Sequence, residues 1–170
     1  AGRSTITPYV VEIDTLGQTR AVGPAIAAYE PTDAQIAYHL ARFIENVRSL
    51  SIDPIVVRQN WLRAYDYATD RAANTLNGYA RENDPFSRVG QRTVTVEVTS
   101  IVRSSGDSFD VRWREQSFEN GALANTIRYT AVLSIVLQPP RTEEALRKNP
   151  LGIYVHALNW SRDLISGDNP

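Results

Sequence analysis

Two hydrophobic rhythms run through the chain, a helical one over residues 32–82 and a two-residue one over residues 93–137. Ahead of both, Thr7-Pro-Tyr-Val-Val-Glu-Ile-Asp14 is rich in β-branched residues and alternates loosely, which predicts a strand. Gly17 and Gly23-Pro24 mark turns around a short return strand at Thr19–Val22. Thr32 and Gln35 have the spacing of a capping box, in which each side chain satisfies the other's free backbone N–H. Ile36, Leu40, Phe43, Val47 and Leu50 then fall on one helical face. Asp53-Pro54 supplies an N-cap and a proline for the first position of a second helix. That helix carries Leu62, Tyr65, Ala72, Leu76 and Tyr79 near one stripe, with Val57, Trp61, Ala64 and Ala68 beside it. So wide a stripe implies more than one neighbour. Thr69-Asp70 offers a break into two pieces, and Gly78 and Asn83-Asp84-Pro85 end the helix.

From Thr93 the period shortens. Val94, Val96 and Val98 alternate with polar residues, Ser104–Ser108 is a hairpin loop, and Phe109, Val111 and Trp113 alternate again. Asn120-Gly121 marks a second turn, after which Ile127, Tyr129, Ala131, Leu133, Ile135 and Leu137 share one face. Three strands joined by short turns predict an antiparallel meander with one face on the helices. Pro139-Pro140 stops it, Thr142–Arg147 reads as a short capped helix, and Asn149-Pro150-Leu151-Gly152 as a turn. The last strand, Ile153 to Leu164, places Ile153, Val155 and Ala157 on one face and Tyr154, Leu158 and Trp160 on the other. A strand apolar on both sides is covered on both, or its outer face meets a partner. Tyr154 and Trp160 are therefore candidate interface residues. The order strand, helices, meander, short helix, strand predicts an α+β cone of the nuclear transport factor 2-like kind, with helices packed on one face of a curved antiparallel sheet.

Composition narrows the function. A chain of 170 residues, 42 % hydrophobic and 22 % charged, suits one domain over residues 1–170, with 1–8 and 166–170 expected to be loosely ordered. Its formal net charge is −1, and its arginines are scattered singly, so no basic stripe supports direct nucleic-acid binding. It holds no Cys, which excludes a disulfide framework, a thiolate zinc site and a cysteine nucleophile. It holds no Met and begins at Ala1, so the chain is expected to be either processed or cut, which leaves room for a targeting or membrane segment upstream.

Candidate chemistry is sparse. His39 borders an apolar stripe and His156 lies in the last strand, far from it in sequence, with no third ligand spaced for a metal. The glycines are dispersed and form no phosphate loop. Glu143-Glu144 opens a helix, where the macrodipole favours carboxylates. Asp66 and Asp70, a helical turn apart with Arg63 and Arg71 nearby, read as a solvated face. No cofactor and no metal are expected. One alternative stays open: an enzyme or small-ligand-binding protein with a pocket inside the cone, for which Tyr65, Tyr79, Tyr129 or Asp110 are the available groups.

The segment from Arg147 through Asn149-Pro150-Leu151-Gly152 to Arg162 resembles the Asn-Pro-x-Gly turn and following strand of the scaffold subunit shared by VirB- and Trb-type secretion systems. Pro31–Glu45, Asp53–Asp66 and Asn83–Phe86 resemble the Trb branch in particular, so the likeness is collinear from about Tyr9 to Leu164. The resemblance implies the periplasmic domain of a bacterial inner-membrane protein, anchored by one transmembrane helix upstream of residue 1. It implies an assembly role in conjugal DNA transfer, through self-association and contacts with other secretion-system subunits. It carries no catalytic residues. What transfers is the turn itself: Asn149, Pro150 and Gly152, with Leu151 at the variable position.

Overall fold

The computed structural model describes residues 30–164 with their side chains and, as backbone, the strands β1 (Tyr9–Ile13) and β2 (Thr19–Pro24). These two pair antiparallel as a separate two-stranded sheet. The terminal segments expected to be loose, and the turn at Gly17, lie outside the described residues.

Helix α1 (Asp33–Arg48) starts where the capping box predicts. The Gln35 N–H donates to Thr32 Oγ1 at 3.1 Å, and the Thr32 N–H donates to Gln35 Oε1 at 2.9 Å. Its buried face is Ile36, Leu40, Phe43, Ile44 and Val47, each side chain contributing about 1.5–3 kcal/mol relative to exposure. Leu50, past the helix end, is half-buried and exchanges backbone hydrogen bonds with Val94. Helix α2 (Pro54–Asp66) is capped by Asp53, whose carboxylate accepts from the Ile55 N–H at 2.8 Å. The chain divides at Thr69, the N-cap of helix α3 (Asp70–Glu82). Gly78 does not end that helix: it lies inside it, and Asn83 is the C-cap. Only part of the wide stripe is core. Val57, Trp61, Ala64, Ala72 and Leu76 are buried, while Leu62 is 54 % exposed beside an exposed Ile55. The difference follows from the neighbours: α2 packs against α1, and Tyr79 of α3 stacks on Trp61 at 6.2 Å, so the flank carrying Leu62 is left open.

The main sheet has the order β3 (Arg92–Ser105), β4 (Ser108–Glu119), β5 (Ala122–Leu137), β6 (Ile153–Arg162), all neighbours antiparallel. Asn120 and Gly121 both take positive φ, 50° and 83°, as the two-residue hairpin turn between β4 and β5 requires. Phe109, Val111, Trp113, Ala131, Leu133, Ile135, Ile153 and Val155 face α1, α2 and α3 and complete the core. Leu137, predicted to share that face, is 42 % exposed at the strand end. The result is an α+β cone with helices on one face of the sheet. Its edge at β6 is closed by the corner between α2 and α3, where Val155 N–H donates to Tyr67 C=O at 2.8 Å and Thr69 N–H donates to Val155 C=O at 2.9 Å.

A bulge in β6 corrects the expected faces of that strand. Val155 pairs with Ile135 but Ala157 pairs with Ser134, leaving His156 as the extra residue. Side-chain parity reverses there. Leu158 and Trp160 lie opposite Leu133 and Ala131 on the core face, while Tyr154 lies opposite Val136 on the outer face. Tyr154 and Trp160 therefore do not form one outer surface.

Candidate functional site

The Asn149–Gly152 turn follows helix α4 (Glu143–Lys148), whose N-cap Thr142 accepts from the Ala145 N–H. Asn149 is the C-cap, and its carbonyl accepts from the Gly152 N–H at 3.1 Å, closing a β-turn with Pro150 second and Gly152 fourth. The Asn149 side chain is 1 % exposed and spends its whole amide. Nδ2 donates to the Asp66 carbonyl at 3.1 Å and to the Ile153 carbonyl at 2.9 Å, and Oδ1 accepts from the Ile153 N–H at 3.1 Å. One side chain thus ties the end of α2 to the start of β6. Gly152 has φ 62°, and a Cβ there would stand 2.0 Å from the Gln138 carbonyl oxygen, so only glycine fits. Leu151 is buried and Pro150 half-buried. Within the motif, Pro150 alone keeps substantial surface.

A second centre was missed by the sequence reading. Arg48, at the end of α1, and Glu115, on the core face of β4, form a buried bidentate pair, with side chains 8 % and 9 % exposed. Nε meets Oε2 at 2.5 Å and Nη2 meets Oε1 at 3.0 Å, while Nη1 donates to the Tyr79 hydroxyl at 3.0 Å. Trp113 Nε1 adds a donation to Glu115 at 2.8 Å. The guanidinium carbon lies 4.4 Å from the Tyr129 ring centre, 5.1 Å from Trp160, 5.4 Å from Tyr79 and 6.0 Å from Trp113. Burial works against the Arg48 charge. The hydrogen bonds to Glu115 and the surrounding Glu115, Tyr79 and Tyr129 outweigh it, holding the Arg48 pKa above its ordinary value. The signal was present: Glu115 continues the Phe109/Val111/Trp113 parity, and a carboxylate on an apolar face demands a counter-charge. An open pocket of about 420 Å³ adjoins this box, lined in part by Trp61, Arg92 and Ile127.

Of the groups weighed for an enzyme, Tyr79 and Tyr129 come together and line the pocket beside Arg48, whereas Tyr65 and Asp110 do not join them. Tyr79 and Tyr129 pack about Arg48, Tyr65 donates to Asn77 Oδ1, and Asp110 is exposed on the other face of the sheet. Asp66 and Asp70 stand on different helices. His39 is buried and stacks on Tyr67 at 5.3 Å, and His156 Nδ1 meets Thr69 Oγ1 at 3.0 Å. Among the described residues no group of three or more His, Cys, Asp or Glu is placed to hold a metal ion, and no helix is long and apolar enough to cross a membrane.

This architecture is the nuclear transport factor 2-like cone of known secretion proteins. The chain superposes on the TrwG component of the type IV secretion system from Bartonella birtlesii with TM-score 0.71, at 17 % identity, covering 81 % of this chain and 96 % of that one. It superposes on the VirB8 protein of Agrobacterium tumefaciens with TM-score 0.69, at 13 % identity, covering 83 % and 100 %. The profile of the VirB8 protein family matches residues 2–163, and the chain belongs to that family. It is also 31 % identical over 162 residues to the conjugal transfer protein TrbF of Rhizobium radiobacter, across 94 % of this chain and 74 % of that protein. Members of the family are type IV secretion components, inner-membrane proteins with a periplasmic domain.

Proposed function

We propose that this chain is the periplasmic scaffold domain of a conjugative type IV secretion system, acting through assembly and not through catalysis. The observation that carries the reading is the family match over residues 2–163, together with a 31 % identical relative that serves conjugal transfer. The site chemistry supports it. The buried charges are spent on each other, and the turn motif is spent on holding β6 against the α2–α3 corner. A scaffold needs a rigid body that fixes where its surfaces lie, and no reacting groups. In this reading the domain self-associates, contacts other channel subunits, is held to the inner membrane by a helix ahead of residue 1, and does not grip the transferred strand.

Deleting the gene from donor cells should abolish plasmid transfer, and the intact gene supplied in trans should restore it. Purification of the tagged protein from those cells should bring down other channel subunits in defined ratio. Transfer at the undeleted frequency would overturn the assignment. The ligand-binding alternative rests on the pocket beside Arg48 and is favoured only by a saturable small-molecule complex whose loss, by filling that pocket, stops transfer.

A further inference from the structure

Beside the Asn149–Gly152 turn, α1, the end of α2 and α4 border an open groove of about 630 Å³. Four cationic side chains line it from three elements: Arg42 on α1, Arg63 on α2, and Arg147 and Lys148 on α4. One carboxylate, Asp66, lines it with them, although the whole chain has a formal net charge of −1. The partners of three of these cations are Glu45 at 3.4 Å, Glu143 at 3.4 Å and Glu144 at 2.8 Å, none of which lines the groove. Exposed pairs one helical turn apart contribute roughly 0.3–0.5 kcal/mol, so they yield readily to a better acceptor. Arg63 enters no ion pair among the described residues. Aromatic rings lie along it: Tyr67 stacks on His39 at 5.3 Å, and Tyr38 meets the His39 ring edge-on at 5.2 Å. Pro150, the half-exposed member of the turn, forms part of the wall.

Convergent cations beside aromatic rings suit carboxylates carried with an aromatic or apolar side chain. A nucleic-acid strand instead needs a continuous basic track, and the sequence holds no run of basic residues to supply one. We propose that the groove is the docking site for an acidic peptide segment of another protein, its carboxylates held by Arg42, Arg63, Arg147 and Lys148 and an aromatic residue lying on Tyr67. This deepens the scaffold reading and rests on it, because it names the chemistry of a partner at the turn motif. Arginine forks supply the directional contacts, and the exposed acids on α1 and α4 turn toward solvent when the segment enters.

The test uses the whole chain and a fluorescein-labelled peptide of alternating Asp and Glu with one Phe, read by fluorescence anisotropy. Binding is expected at about 50 mM salt and weakens by about 300 mM, as an exposed charged contact should. Arg63→Glu with Arg147→Glu, both at exposed positions, lowers affinity by at least about tenfold while the melting curve shows the variant still folded. Arg112→Glu, on the opposite face of the sheet, leaves it unchanged. Absence of binding, or equal loss in Arg112→Glu, overturns the proposal. So does a concentration-dependent dimer abolished by the groove variant, which assigns the groove to a second copy, or tighter binding of a labelled DNA strand through the same residues. In donor cells the two readings separate. Wild-type transfer by the groove variant, where deletion abolishes transfer, sinks the docking site alone; wild-type transfer by the deletion sinks the scaffold reading.

Discussion

The Arg48 guanidinium holds the Glu115 carboxylate in two parallel bonds, 2.5 and 3.0 Å, inside a box of four aromatic rings. The pair joins the end of α1 to the middle of β4, so it fixes how the first helix lies across the sheet. Taking one partner away leaves the other charge buried and uncompensated. Glu115→Ala is expected to cost about 3–5 kcal/mol in urea unfolding. Replacing both, as Arg48→Met with Glu115→Leu, should cost less than either single change, because no stranded charge remains. A double variant as unstable as the sum of the singles contradicts that account.

Gly152 has neither the dihedral nor the space for a side chain. Valine there combines a β-branched residue at φ 62° with a Cβ 2.0 Å from the Gln138 carbonyl oxygen. The loss is expected to exceed about 3 kcal/mol, and Gly152→Ala should also destabilise through the same close approach. Thermal melts of the two variants check this, and transfer frequency should fall in the same order. Full transfer by Gly152→Val would show that the turn's geometry is dispensable for assembly.

Asn149 makes a finer version of the same test. Alanine strands the Ile153 N–H and withdraws the donor from the Asp66 and Ile153 carbonyls, at an expected cost of about 2–4 kcal/mol. Aspartate keeps the acceptor but turns a carboxylate oxygen toward two carbonyls, so at neutral pH it should be no better than alanine. Below the carboxyl's pKa the protonated acid regains a donor, and Asn149→Asp alone should recover stability there. Melting curves at neutral and acid pH distinguish the two.

Asp66 gives the chain a pH dependence of known sign. Desolvation raises its pKa above the usual carboxylate value, with Lys148 opposing and Glu144 reinforcing the shift. A raised folded-state pKa means that the charged form is disfavoured by folding. The associated stability is present below the unfolded value of about 3.8 and is lost as pH rises through the folded value. Asp66→Asn should therefore raise Tm at pH 7 and lose its advantage near pH 3. An equal gain at both pH values would assign the effect to something other than ionisation.

Much of the fold was written in local signals. The Thr32–Gln35 box, the Asp53-Pro54 cap, the Thr69 break and the Asn120-Gly121 turn are short-range devices, and each is where its spacing puts it. What escaped was long-range. Leu62 reads as core by its helical phase, yet the tertiary packing of α2 against α1 decides which flank is buried. Arg48 and Glu115 are 67 residues apart, and no spacing rule joins them. The Asn149 turn was legible as a turn, but its hold on the Asp66 carbonyl, 83 residues away, was not.

The bulge at His156 is the clearest such case, and it divides two residues that alternation placed together. Trp160 meets Tyr79 edge-on at 5.2 Å and Trp113 at 6.3 Å, and it forms one wall of the box around Arg48. Trp160→Ala should cost about 2–3 kcal/mol, below the usual range for a fully buried tryptophan because its ring is only partly covered. Tyr154 lies on the outer face opposite Val136, so Tyr154→Ala should change stability by less than about 1 kcal/mol. If the outer face of β6 is a contact surface of the scaffold, Tyr154→Ala lowers transfer with the fold intact, whereas Trp160→Ala lowers transfer only in step with lost stability. Measuring Tm and transfer frequency for both variants separates contact from packing. Undiminished transfer by a stable Tyr154→Ala removes that face from the assembly.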